Sequence, residues 1–351
     1  MSKSERNRLA TMLFAAVVFA AGLLAIAVIE PRQAAAGWLI GFLFWSQIPV
    51  GSLLLTMIHS LTGGRWGYAL RPVLAPATAA VPWLFLAIVP VFVGIPLLYP
   101  WATSSSVVKP DVAADYLNES FFIGRSVIAL AVWSAITILM RLSAPRHPLL
   151  IAGIGLALYG ITISVVAIDW FLALEPPFVS SSFGASVGIM QLITAMAWGA
   201  LLAPEPAADP VAGDIGGLLL AFLLGITYVD FMAILVIWYG DLPHKEFWFV
   251  ERDHFPWSAL AAAAFVLGSV VPIFALFLSR IRNSRAALRP VAISVLLGSM
   301  LYIAYLIAPS FGVFSLVPAV FALIVIGLLQ SAAAAAASLM VARTEALRHG
   351  Y

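Results

Sequence analysis

No cysteine occurs in the sequence, and only five histidines do. Without cysteine the chain can hold neither a cysteine-ligated iron–sulfur cluster nor a covalently attached c-type haem. A bis-histidine haem b needs two facing histidines at membrane depth, and only His59 falls within an apolar stretch, so a cytochrome b is excluded as well. Metal-site spacings are missing, and no glycine-rich phosphate loop follows a strand, because no segment reads as a strand. Gly63-Gly64, in a short polar loop, reads as a helix C-cap. No cofactor is therefore expected in this chain. Charge is scarce too: 10% of residues are charged and 63% hydrophobic, against roughly 25% charged in soluble domains. The net charge of +2 points to no nucleic-acid partner.

What remains is apolar sequence in long runs, which makes the chain an integral membrane protein in contact with lipid. About ten stretches reach the ~20 residues a helix needs to cross the hydrocarbon core, at roughly 10–29, 37–60, 79–99, 121–141, 149–171, 183–203, 215–239, 258–279, 291–308 and 315–340. No soluble segment is long enough to form another unit, so residues 1–351 read as a single all-α transmembrane domain. The first stretch follows Lys3, Arg6 and Arg8 but has no small-residue cleavage site before Glu30-Pro31-Arg32, so it reads as retained.

Basic residues set the expected orientation. Lys3, Arg6, Arg8, Arg65, Arg71, Arg141, Arg146, Arg280, Arg282, Arg285, Arg289, Arg343 and Arg348 fall on one side, and Arg32, Lys109, Lys245 and Arg252 on the other. The positive-inside rule places both termini in the cytoplasm. The acidic loop Ala203 to Asp214, with Glu205, Asp209 and Asp214, falls on that same side, and the rule largely discounts acids. Prolines within the spans, at Pro49, Pro82, Pro90, Pro96 and Pro272, each free a backbone carbonyl and can kink a helix. The six alanines between Ser331 and Ser338 permit close helix packing.

Polar residues inside the spans are the candidates for function. Asp230 lies near the middle of an apolar run, with Thr227 on the same helical face and Tyr228 adjacent. A charged acid there costs roughly 2.5–3.5 kcal/mol on insertion scales, so it normally faces protein or a water path. No basic residue falls at its depth, which favours a protonatable acid over a permanent ion pair. Ser52, Thr56 and His59 share one helical face and read either as a hydroxyl and imidazole proton relay or as side chains bonded to their own and neighbouring backbone. Arg125 opens the fourth span and Asp169 closes the fifth, at the same end of antiparallel helices, so they are natural partners. Glu119 and Glu175 lie at that level, as an acidic exit funnel or simply in solvent.

Four strings at span ends, MIHSLTGGRWG (57–67), YLNESFFIGR (116–125), IDWFLALEPPFVSSSFG (168–184) and VIWYGDLPHKEFWFVER (236–252), resemble, in their order and placement, the ActF family of membrane subunits of bacterial alternative complex III. Those complexes are quinol:cytochrome c or oxidase-linked oxidoreductases. The resemblance covers about residues 40 to 285. It implies two four-helix bundles, from spans two to five and six to nine, like the NrfD and polysulfide-reductase anchors, with the first and last spans outside them. It also implies a bacterial inner-membrane location and partners: an NrfD-like quinol-binding subunit, a periplasmic iron–sulfur protein, c-type haem subunits, small membrane subunits and, in some assemblies, a terminal oxidase. The redox cofactors and the quinol would belong to those partners. The chain departs from the family at Arg71-Pro72 and Ala75, where an acid often follows, and at Asp241 and His244-Lys245-Glu246, where Asn and paired glutamates are common.

The resulting expectation is a non-catalytic subunit of a quinol-oxidising complex with a proton path through His59, Ser52, Thr56, Asp230, Thr227, Tyr228, Arg125 and Asp169. Two other readings stand beside it. In one, the chain is itself a quinol-binding anchor of an iron–sulfur or molybdenum oxidoreductase, with Asp169, Trp170 and Tyr116 at the quinol. In the other it is a secondary transporter coupled through its mid-membrane acid.

Overall fold

A computed structural model describes residues 3–104, 112, 115–142, 147–204 and 211–348. Lys109, Arg146, Glu205 and Asp209, which enter the charge pattern above, lie outside them. Among the described residues there is helix and no strand. Ten helical spans are long and apolar enough to cross a membrane, so the chain is an all-α, multi-pass membrane protein. We label them α1 (Lys3–Ile29), α2 (Pro31–Thr62), α3 (Arg65–Val93, in segments), α4 (Glu119–Leu142), α5 (Pro148–Trp170), α6 (Phe183–Leu202), α7 (Ala212–Tyr239), α8 (Trp257–Phe277, in segments), α9 (Arg285–Ile307) and α10 (Leu316–Arg348).

Several span boundaries differ from the sequence reading, with α1 and α2 starting earlier than expected, at Lys3 and Pro31, and α10 running on to Arg348, and two of the differences move arginines. Helix α3 begins at Arg65, well before residue 79, and α9 begins at Arg285 rather than 291. Arg65, Arg71, Arg285 and Arg289 therefore sit in opening helical turns and not in loops. Length of apolar sequence underestimates such helices because their first turns are amphipathic. Proline acts as anticipated in α3, where Pro82 and Pro90 coincide with its division into short helical segments, and Pro96 lies in the short helix Ile95–Leu98 that follows. Helix α2 runs unbroken through Pro49.

Helices α2, α3, α4 and α5 close one ring of contacts, and α6, α7, α8 and α9 close a second. The two bundles meet where α6 lies along α2 and α5. Helix α10 packs along α2, and α1 lies against both. Buried residues make up 89% of the apolar window of α2 but 11% of that of α1, which makes α2 the axis of the molecule and α1 a peripheral helix. In a bilayer, association depends on close packing and polar contacts rather than on escape from water. The bundle seam shows this: a Cβ added to Gly51 would lie 2.0 Å from the Gln191 carbonyl oxygen, so only glycine lets α2 and α6 approach so closely.

The alternation of helix direction gives the bundle two ends. One, the arginine-rich end, carries Arg65, Arg71, Arg141, Arg280 and Arg282. The other, the loop end, carries the α5–α6 connection, the short helix Pro243–Val250 and the α9–α10 turn.

Candidate functional site

Three of the four family-like strings meet at the loop end, held by two ion pairs. In the first, Arg125 Nε and Nη2 donate to Asp169 Oδ2 and Oδ1 at 2.7 and 3.0 Å. A planar guanidinium matches a carboxylate in this two-point geometry, among the strongest polar contacts available to side chains. Arg125 Nη1 donates to the Tyr116 carbonyl at 2.9 Å, and its guanidinium lies 3.8 Å from the centre of the Tyr116 ring. Burial, then the Asp169 carboxylate, pushes the Tyr116 phenol up to about 12, so it stays neutral at physiological pH. Trp170 is fixed as firmly: its indole N–H donates to Ser126 Oγ at 2.9 Å, and its ring packs edge-on against Phe42 and Trp133. The expected pair is present, 1% of the Asp169 side chain is exposed, and both carboxylate oxygens are occupied.

Asp230 is held very differently. Ser186 Oγ donates to Asp230 Oδ1 over a long 3.4 Å, and the Tyr302 hydroxyl hydrogen-bonds the same carboxylate. These three residues stand on α7, α6 and α9 and line a cavity of about 470 Å³ within the second bundle. Its wall is mostly apolar and aromatic, with Phe183, Phe231 and Phe265 among the lining residues. That size and character fit a small-molecule site or a water-filled vestibule. Toward the arginine-rich end, Leu219, Leu223, Leu276, Leu288 and Val295 pack in one buried cluster and close the bundle. Toward the loop end the cavity extends to Glu175, Trp248 and Tyr305. A second hollow of about 380 Å³, lined by Glu246, Arg252 and Asp253, shares Phe249, Ala261 and Tyr305 with it.

The second ion pair joins a residue lining the first hollow, Glu175, to one lining the second, Arg252. Arg252 Nη2 donates to Glu175 Oε1 at 2.5 Å, and Ser310 Oγ donates to the same oxygen. Arg252 also donates to the Trp248 carbonyl at 3.0 Å and lies 3.9 Å from the centre of the Trp248 ring, while Phe178 stacks on that ring. Sequence reasoning placed Glu175 in a funnel or in solvent and Arg252 among loop charges, and it did not pair them. They are 77 positions apart, and no helical periodicity links two connecting segments.

The remaining candidates separate. Thr227 lines the cavity but its hydroxyl donates to the Leu223 carbonyl at 2.8 Å. Tyr228 points outward, 64% exposed, because one residue along a helix turns about 100°. On α2, Thr56 donates to the Ser52 carbonyl at 2.7 Å, the backbone alternative to a relay, and Ser52 Oγ is buried without a hydrogen-bond partner among the described residues. His59 lies at the arginine-rich end, within 2.9 Å of the Gly64 carbonyl oxygen and edge-on to Trp66 and Tyr68. His59 and Asp230 thus stand in different bundles, and Arg125, Asp169, Tyr116 and Trp170 are not among the residues lining the Asp230 cavity.

The seam between the bundles holds polar residues that sequence reasoning missed. Thr194 donates to Gln47 Oε1 at 2.7 Å, and Tyr159 donates to Gln191 Oε1 at 2.6 Å. Two glutamines inside apolar runs were the available signal. Among the described residues no group of three histidine, aspartate or glutamate side chains gathers to hold a metal ion. Comparison with protein-family models finds no match, and neither does comparison with curated proteins.

Proposed function

We propose that this chain is a non-catalytic, ActF-like membrane subunit of a quinol-oxidising complex of the alternative complex III kind. It would sit in a bacterial inner membrane with both termini cytoplasmic, and Asp230 would exchange protons with the loop-end compartment. The observation that carries the proton role is the environment of Asp230: a carboxyl without an ion-pair partner among the described residues, at the side of a cavity that shares Phe249, Ala261 and Tyr305 with a charged hollow. Hydroxyls of Ser186 and Tyr302 beside it are suited to pass a proton, and the hollow has room for water, which needs polar partners of this kind. Glu175 Oε2 has no hydrogen-bond partner among the described residues and is the next acceptor toward the exit.

The leucine layer gives this path a direction. A proton from the arginine-rich end crosses only if α7 and α9 move apart or if it is delivered from the side, so the site works as a one-sided half-channel. Arg125 and Asp169 serve the same subunit structurally, by tying α4 to α5 at the loop end. A quinol at Asp169, Tyr116 and Trp170 is disfavoured, because Arg125 already takes both carboxylate oxygens. Partners supply the redox centres: an NrfD-like quinol-binding subunit, an iron–sulfur protein, c-type haem subunits and small membrane subunits. Purifying the tagged chain in mild detergent tests this reading. Co-purification of iron–sulfur and haem c subunits supports it, and ion-coupled transport by the chain alone in vesicles would replace it with a transporter.

A further inference from the structure

The Asp230 cavity combines one sign of charge with an aromatic wall. Asp230 and Glu175 are its charged lining residues, and among the described residues no lysine, arginine or histidine joins them. The adjoining hollow adds Glu246 and Asp253 against Arg252, which is already paired with Glu175. An anion in either hollow would therefore meet uncompensated negative charge, and a neutral ligand would leave that charge as it is. A cation supplies what the lining lacks, because a buried charge is costly until it is paired.

The aromatic side chains narrow the choice to an organic cation. Phe183 stands three residues before Ser186 on α6, and Tyr305 three after Tyr302 on α9, so each shares a helical face with a residue that bonds Asp230. The Tyr302 and Tyr305 rings are 6.5 Å apart, Tyr305 meets Trp248 at 5.8 Å, and Trp248 stacks on Phe178 at 4.9 Å. All four line the cavity. The faces of such rings attract a cation that has shed its water. The same wall already shows this chemistry, for the Arg252 guanidinium lies 3.9 Å from the centre of the Trp248 ring. A divalent metal ion is unsuited, since it needs several oxygen ligands and no group of three histidine, aspartate or glutamate side chains gathers to hold one among the described residues.

We propose that the cavity binds a lipophilic organic monocation, with its charge beside Asp230 and its apolar body against Phe183, Phe231, Tyr302 and Tyr305. The volume of about 470 Å³ lies within the range of small-molecule sites. The inference concerns binding and not transport. It goes beyond the proton role and shares only the Asp230 cavity with it.

The test is equilibrium binding of radiolabelled tetraphenylphosphonium to the purified full chain in phosphatidylcholine nanodiscs, with empty nanodiscs as background. This probe is permanently charged, and the lipid carries no net charge to concentrate it. Saturable binding, weakened about tenfold or more both by Asp230→Asn, which removes the charge, and by Ala233→Trp, which fills the cavity from its wall, is the expected result. Triphenylphosphine oxide, a neutral molecule bearing the same phenyl rings, should displace the probe far less well than unlabelled tetraphenylphosphonium does. Equal displacement by the oxide would mean that the site reads apolar shape and not charge, and would overturn the proposal. So would binding that does not saturate above the empty discs, or that either variant leaves unchanged. Circular dichroism and gel filtration confirm that the variants are folded, and the oxide comparison decides on the native chain should one misfold. The readout is blind to proton movement. Asp230-dependent proton translocation without probe binding would remove the ligand and leave the proton role, and probe binding with proton stoichiometry unchanged in Asp230→Asn would do the reverse.

Discussion

Two aspartates, one in each bundle, show how differently one residue type can be used. Asp169 is clamped at both oxygens by Arg125 and walled in by Tyr116 and Trp170. Asp230 is met by the hydroxyls of Ser186 and Tyr302, the first over a long 3.4 Å, and faces a cavity. In the first bundle a permanent cation cancels the carboxylate, and the pair acts as a bolt. In the second no side chain among the described residues forms an ion pair with the acid, which stands instead at the wall of a cavity. Pairing, rather than depth in the membrane, separates the structural acid from the candidate functional one.

The comparison breaks most visibly at the bolt. Replacing either Arg125 or Asp169 with leucine leaves a lone buried charge and should cost about 3–5 kcal/mol, whereas the double replacement should recover part of that loss. Thermal unfolding of the purified protein reads both, and strict additivity would mean that the two side chains do not interact. At the vestibule, Glu175→Gln leaves Arg252 with a weaker acceptor, and a loss of about 1–3 kcal/mol is expected by the same measurement. Around Asp230, Thr227→Val and Tyr228→Phe should each shift stability by no more than about 0.5 kcal/mol, since one hydroxyl serves its own helix and the other faces outward. A large effect on proton transfer from Tyr228→Phe would place the path outside the cavity.

Much of this architecture was legible in the sequence. Run length identifies the ten spans because a bilayer imposes a minimum on each helix, and antiparallel counting put Arg125 and Asp169 at one level. Amphipathic starts hid the first turns of α3 and α9, whose arginines looked like loop residues. The cavity was not legible, for its wall is assembled from α6, α7, α8, α9 and the segments around Glu175 and Trp248, and such convergence leaves no periodic trace. Nor was Glu175 with Arg252, since a contact between two loops is set by the helices beneath them. The stripe of Ser52, Thr56 and His59 has the right spacing for a relay, but spacing cannot say whether a hydroxyl faces a water path or, as Thr56 does, its own backbone.

The central claim is that Asp230 carries protons and contributes little to assembly, and Asp230→Asn tests it directly. The substitution keeps shape and hydrogen bonding while removing titration. The intact complex bearing it should assemble and oxidise quinol in detergent at the parental rate, yet in sealed vesicles translocate fewer protons per electron or turn over more slowly when coupled. Unchanged stoichiometry and rate in vesicles would contradict the account and reduce Asp230 to a polar contact.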